Sequence, residues 1–429
     1  MRLIPASLQT TYANLLQAHL EQPNFDFDGS PFTIERRGKR YWYVNQRSVG
    51  ASPIRQRYLG PDTDEMRARI DSMRSEKADR EAFRDACTRM VAQLRAGGIP
   101  GIDRQTGTAL RALVRSGVFR LGGTLVGTQA FRHYDLELGV QLTGSDPADL
   151  QLRETQDLDI ASFERLSSTV EDEADPDLSQ SLADLGYKPI TRLERNKPTS
   201  WRHASSVYDI DFLTPSFDDD LKPTRLASLN IWAQGLHYLD FLIKDPMPAV
   251  SIYMEGLLVQ VPKPHRFAVH KLIVSQKRKA GSGVKARKDV QQARAIIWAM
   301  AEDREHEIKS AIAEADSRGE KWREALDRAL TITFEDVRPI YNFDRDVIRL
   351  PGKVLSEVRP RLFAISGEAI DDQFGANQDE PHNRHEAAVR NRTAIEAVMQ
   401  WKFRHEPSPS LLVTTGDFER WRNQQRMQP

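Results

Sequence analysis

Two short apolar stretches with alternating aspartates constrain this chain more than any other feature. "QDLDI" carries Asp157 and Asp159, and "VYDIDFLTP" carries Asp209 and Asp211. In a strand, residues two apart project from the same side. Each pair would therefore present both carboxylates on one face, with Leu158 and Ile160, or Tyr208, Ile210 and Phe212, on the other. Aspartate is disfavoured in strands, so its repetition in apolar surroundings calls for an explanation. One explanation is a solvated strand face or helix cap. The other is a divalent cation held between carboxylates: Mg²⁺ takes oxygen ligands, and paired ions can activate an attacking oxygen and neutralise a leaving pyrophosphate. The second stretch would supply a third carboxylate, from either Asp209 or Asp211.

The glycine-bearing segment "GGTLVGTQAFRHY" points to phosphate by a different route. Gly122 to Gly127 match the opening spacing of a phosphate loop, but Thr128 stands where that loop carries lysine, and the dinucleotide-binding glycine pattern does not match either. What remains is a strand that delivers Gly127 and Thr128 to the first turn of a helix. Backbone N–H groups and a hydroxyl there can hold the oxygens of a nucleoside triphosphate.

Around these motifs the chain reads as α/β (α+β). Residues 1–97 begin with a short helix, Leu8 to Leu20, followed by three strands with turn signals at Arg37-Gly38-Lys39 and Gly50 to Pro53. Arg36, Arg37, Lys39, Arg40, Arg47, Arg55 and Arg57 interleave there with Tyr41, Trp42, Tyr43 and Tyr58. That mixture suits either an aromatic mini-core with a basic rim or a grip on nucleic acid. Pro61 to Leu94 form one long helix, or two joined by a stutter, with an apolar stripe through Met66, Ile70, Met73, Phe83, Cys87, Met90 and Leu94. The stripe could pack on the body or pair with a second copy.

Residues 98–262 alternate strand and helix and form the expected catalytic domain, a mixed sheet with flanking helices. Strands are expected at "VFRLGGTLVG", "TQDLDIASF" and "GLLVQVP", helices at "TQAFRHYDLELG" and "SQSLADLG", and a hairpin turned at Lys197-Pro198. Residues 263–429 read as a mostly helical domain interrupted near Pro339, Pro351 and Pro360, with a helix from Ala387 to Phe403 and a polar tail. His382 and His385 read as loop or helix-start residues, and Cys87 as packed.

The chain has 429 residues, 39% hydrophobic and 28% charged, so it belongs with water-soluble globular proteins of more than one core. Lysine plus arginine number 61, as do aspartate plus glutamate, so recognition of an anionic partner must be local. A single cysteine excludes an internal disulfide, and no apolar run reaches the length of a membrane span. A cytoplasmic setting and no membrane partner are the expectations.

Taken together, a strand ending in Gly-Thr, Asp-x-Asp on the next strand and a further aspartate on a later one resemble the nucleotidyltransferase superfamily of DNA polymerase β. "LVGTQAF", "TQDLDI", "DFLTP" and "HKLIVSQKRK…KARKDVQQA" are especially similar to a bacterial nucleotidyltransferase-like family of mostly unassigned substrate, over about residues 110–300. The resemblance implies that Gly127 and Thr128 bind the triphosphate, and that Asp157, Asp159 and Asp211 hold two Mg²⁺ ions, with Asp209 in reserve for the third position. It implies phosphate contacts from Lys271 and from Lys288, the latter in a Lys-Asp pair with Asp289. The reaction implied is transfer of NMP from an NTP to an acceptor hydroxyl, with release of pyrophosphate. The acceptor classes implied are RNA, with tRNA favoured by the basic segments, a protein or a small molecule. Some relatives are toxin-like, which would bring an antitoxin-like partner. One departure is the 28 residues between Thr128 and Asp157, more than the superfamily places there. The competing expectation is a catalytically silent nucleic-acid-binding or assembly protein on the same scaffold.

Overall fold

The computed structural model describes residues 1–21, 31–36, 39–46, 55–143, 151–155, 157–164, 177–190, 196–206, 208–217, 221–278, 281–376 and 381–427. Arg37, Arg47, Lys279, the turn at residues 50–53 and part of the stretch between Thr128 and Asp157 (144–150 and 156) lie outside them. The chain forms two compact units. One comprises Arg2–Gln141 and Arg153–Pro262; the other comprises Leu142–Leu152 and Lys263–Pro429, with Met1.

The first unit begins with strand β1 (Arg2–Leu3) and helix α1 (Ala6–Glu21). The three-stranded antiparallel sheet β2 (Pro31–Arg36), β3 (Lys39–Gln46) and β4 (Arg55–Pro61) follows. Helix α2 (Asp64–Ala96) is a single uninterrupted helix, started by the Thr63 hydroxyl, which accepts the Met66 N–H. Its C-terminal stripe packs on the body of the unit: Cys87, Val91 and Leu94 are buried with Tyr12 and Leu15 of α1, Leu136, Val250 and Ile252. Cys87 is a core residue, and burial pushes its thiol up to about 11.

Next come α3 (Arg104–Arg115), β5 (Thr124–Val126), α4 (Gly127–Phe131), α5 (Tyr134–Leu138), β6 (Val140–Gln141), β7 (Asp157–Ala161) and α6 (Leu178–Asp184). After them run β8 (Tyr187–Pro189), β9 (Ser200–His203), β10 (Asp209–Pro215), β11 (Pro223–Leu226), β12 (Ile231–Leu236), α7 (Leu239–Leu242), β13 (Met247–Ser251) and β14 (Leu257–Val261). The main sheet has the order β11-β12-β10-β7-β5, and β9, extended by β8, pairs with the first half of β10. β7 and β10 are parallel, whereas β5 runs antiparallel to β7. Leu158, Ile160, Ile210 and Phe212 are fully buried on the core face of these central strands.

Three local expectations change. "VFRLGG" is a turn rather than strand up to Gly122, because Gly117 and Gly122 adopt positive φ, and only Thr124–Val126 are extended. "TQAFRHYDLELG" is two single-turn helices, not one. Lys197-Pro198 lies in the link between β8 and β9, which do pair antiparallel, but a second, tighter hairpin that was not expected lies at residues 204–206 between β9 and β10.

The second unit has helices α8 (Pro264–Ser275), α9 (Gly283–Met300), α10 (Glu305–Ser317) and α11 (Glu320–Ala329). It then carries a sheet that a mostly helical reading did not foresee: β15 (Thr333–Phe334), β16 (Ile340–Asn342), β17 (Val347–Lys353), β18 (Arg361–Ser366) and, beyond helices α12 (Gly367–Phe374), α13 (Pro381–Arg390) and α14 (Arg392–His405), β19 (Leu412–Val413). Helix α15 (Thr415–Met427) ends the described chain. Pro351 is accommodated inside β17 because β15 and β16 pair with opposite ends of that strand. His382 and His385 lie in the first half of α13. Among the described residues, no helix is long and apolar enough to cross a membrane.

Candidate active site

Parallel pairing of β7 with β10 aligns the two Asp-x-Asp pairs residue for residue: Asp157 stands beside Asp209, and Asp159 beside Asp211. Burial alternates in phase along both strands. All four aspartates are half-buried, and the residues between them are buried. Four carboxylates therefore share one face on neighbouring strands, which lie about 4.8 Å apart.

The glycine corner meets this face. Val126, the last residue of β5, is paired with Asp159, so Gly127 turns the chain away beside that carboxylate. Gly127 has φ 66°, and a Cβ placed there would collide with the Asp159 carboxylate. Only glycine satisfies both the left-handed backbone and the close approach. Thr128 follows in α4, whose single turn is pinned from behind. His133 joins the Gln129 carbonyl through Nδ1 (3.0 Å) and the Ser251 hydroxyl through Nε2 (2.7 Å), and the Tyr134 hydroxyl donates to the Pro262 carbonyl (2.9 Å). Burial lowers His133 to about 4 and keeps it neutral.

The start of β10 is tied to α3. Tyr208 donates to the Thr106 hydroxyl (2.8 Å), and Thr106 in turn donates its backbone N–H to Asp103 (2.9 Å), the helix N-cap. Near by, Arg132 spans to the Arg153 carbonyl (3.2 and 3.0 Å), which fixes the entry to β7.

Arg202, which lies in β9 opposite Asp209, was not singled out in the sequence. Its Nε and Nη2 donate to the two oxygens of Asp209 at 2.7 and 2.6 Å. These bonds, and then the charge of Asp209, raise the guanidinium pKa; Asp157 and Asp211 add to the effect. A hairpin register centred on residues 204–206 would have revealed the pair, but the Lys-Pro signal at 197–198 drew the turn elsewhere. Asp209 is thus engaged by arginine, leaving Asp211 as the partner of Asp159 in register. Among the described residues, no three His, Cys, Asp or Glu side chains are gathered into a ready-made metal cage.

Lys271 and Lys288 belong to the second unit. Lys271, in α8, is buried and donates to Asp289 of α9 at 2.6 Å, while Arg278 donates to the other oxygen of Asp289 at 2.9 and 2.7 Å. Burial alone would raise the Asp289 carboxyl, but the Lys271 and Arg278 charges outweigh it and hold the group below the usual range. Lys288 is half-buried in the second turn of α9.

A family model described as nucleotidyltransferase matches residues 104–317, the span from α3 through β5, β7 and β10 to α10. The chain belongs to this nucleotidyltransferase family. It is a nucleotidyltransferase enzyme, and the reaction class is transfer of a nucleotidyl group. No curated protein and no solved structure matches the chain. The nucleotidyltransferase match takes in all four aspartates and the Gly127 corner.

Proposed function

We propose that this nucleotidyltransferase is of the DNA polymerase β type and moves NMP from an NTP to an acceptor hydroxyl with the help of divalent metal, releasing pyrophosphate. The observation that carries the reading is the register of the aspartates, Asp157 beside Asp209 and Asp159 beside Asp211, with Gly127 against Asp159.

The donor set fits Mg²⁺, since it offers only carboxylate oxygens on a half-exposed face. Asp157, Asp159 and Asp211 would hold the metal, two ions in the fuller form of the proposal, and Arg202 keeps Asp209 aside. When bound, the metal neutralises phosphate charge and favours the departing pyrophosphate. The chain's own residues do the rest. Gly127 lets the backbone approach the phosphates without a side chain in the way, and Thr128 offers its N–H and hydroxyl. Asp211 accepts the proton of the acceptor hydroxyl as its oxygen bonds to the α-phosphorus and the bond from that phosphorus to the pyrophosphate oxygen breaks. Catalysis then rests on positioning and charge neutralisation. Lys271 is already engaged by Asp289, and neither it nor Lys288 is given a phosphate role here.

Within this reading RNA is the favoured acceptor, tRNA above all. The support is chemical: Lys39 and Arg40 are exposed on β3 beside Tyr41, Trp42 and Tyr43, a combination that suits a phosphate chain with bases to stack. A toxin-like role, with a restraining partner, would follow if that RNA were essential.

The protein is incubated with each labelled NTP, MgCl₂ and either total cellular RNA or protein. Transfer of label to RNA by wild type but not by the Asp157→Ala, Asp159→Ala variant is expected. Label on protein would redirect the acceptor. A salt-sensitive shift of RNA by both forms, with no label transferred, would mark a silent binder and sink the reading.

A further inference from the structure

The metal-and-nucleotide reading leaves one strong contact without a role. Asp209 shares the face of the other three aspartates, yet both of its oxygens are taken by Arg202. The β9–β10 hairpin sets this pairing, since antiparallel register places the two residues directly opposite, where cross-strand side chains meet. The two partners differ in setting: the Asp209 side chain is 16% exposed and that of Arg202 is 58% exposed. The carboxylate is thus anchored in the face, while the guanidinium reaches it from the solvent side and can leave without a buried cavity opening. Its influence extends beyond one partner, because Asp157 is the neighbour of Asp209 in register and Asp211 lies two residues along on the same side. Both act on the Arg202 charge. Like charges on adjacent strands repel, and a bidentate arginine relieves that repulsion with fixed geometry.

We propose that Arg202 is a positioning residue and the resident counter-ion of the carboxylate face: it holds Asp209 out of the metal-binding set and competes with the divalent cation for the remaining negative charge. This rests on the reading of the face as a metal site. It deepens that reading by making metal loading a displacement of charge already present, and it settles the third carboxylate as Asp211. The enzyme would then remain folded at low Mg²⁺, at the expense of weaker metal binding than four uncompensated carboxylates would give.

The test is thermal melting of the full-length protein without nucleotide, in EDTA and across a MgCl₂ titration. The forms compared are wild type, Arg202→Ala, Arg202→Lys and the double variant Arg202→Ala, Asp209→Asn. Arg202→Ala should melt lower than wild type in EDTA and reach half of its Mg²⁺ stabilisation at about one-fifth of the wild-type concentration, because one positive charge beside the site has gone. Arg202→Lys should return the Mg²⁺ midpoint most of the way, since it keeps the charge. The double variant should recover the melting temperature in EDTA, since a charge of each sign has been removed. An Arg202→Ala midpoint within twofold of wild type, or a double variant that melts no higher than Arg202→Ala in EDTA, overturns the proposal. A wild type that ignores Mg²⁺ altogether overturns the metal reading, and this inference with it. A wild type that responds, with an Arg202→Ala that responds identically, removes only the role of Arg202.

Discussion

The carboxylate face of β7 and β10 and the charged cluster between α8 and α9 are both places where the sequence suggests a grip on nucleotide phosphates, but they are built on opposite principles. In the cluster, Asp289 is 2% exposed and lies between two cations, Lys271 and Arg278. Its single negative charge is more than offset inside the protein by those two cations, and its chemistry is largely spent on holding two helices together. On the sheet face, four like charges stand side by side on neighbouring strands with arginine at one corner. Such an arrangement gathers negative charge on one face, where a divalent cation would be favoured, and that is a reason to read it as a working site. Net charge at the level of the motif therefore separates the two more reliably than the presence of lysine or aspartate does.

Removing carboxylates from the sheet face should separate stability from activity. The Asp157→Ala, Asp159→Ala variant should lose on the order of 1,000-fold in transfer rate, as expected when transition-state charge stabilisation is removed. It should nevertheless melt, in EDTA, at or above the wild-type temperature, because two like charges have been taken from one face. A lower melting temperature would mean that these aspartates are structural after all. Lys271→Ala tests the other side. Breaking a buried pair from one end typically costs 3–5 kcal/mol; with Arg278 still on Asp289, about 3 kcal/mol is expected in urea unfolding. The discriminating result is the temperature dependence of transfer: well below the melting transition, the rate should stay near that of wild type. Third is Gly127→Ala. The left-handed backbone and the collision with Asp159 should together cost about 2 kcal/mol and reduce transfer as Asp159 is displaced; unchanged values for both would remove the corner from the site.

What was legible in advance follows from range. The alternation of Asp157 and Asp159, and of Asp209 and Asp211, is a period-two pattern within five residues, so their shared face could be read without knowing the fold. Gly127 was legible as a turn from strand into helix, but its closeness to Asp159 depends on β5 and β7 pairing antiparallel across more than thirty residues, which no local pattern encodes. Arg202 lay seven residues from Asp209 and needed the correct hairpin turn to be seen. The Lys271–Asp289 pair needed two helices to fold back on each other, and without it Lys271 reads as a phosphate ligand and Asp289 as the neighbour of Lys288. In the second unit the short runs of β16 to β19 are interleaved with proline and helix-forming residues, so their pairing with one another was invisible to a single-sequence reading.

Acid should act more weakly, through the support behind the Gly127 corner. His133 is neutral in the folded protein because burial lowers it to about 4 from an ordinary 6.5, while one ring nitrogen serves the Gln129 carbonyl and the other the Ser251 hydroxyl. A folded-state value below the unfolded one means that the unfolded chain takes up the proton first. This contribution is complete above about pH 6.5 and is lost as pH falls toward 4. Between pH 7.5 and 5.5 the loss should be roughly 1–1.5 kcal/mol. A His133→Gln variant starts less stable but lacks this proton uptake, so its stability should fall less over the same interval, measured by urea unfolding in EDTA. If His133→Gln loses as much stability as wild type between these pH values, acid acts elsewhere and the helix behind Gly127 is held by packing alone.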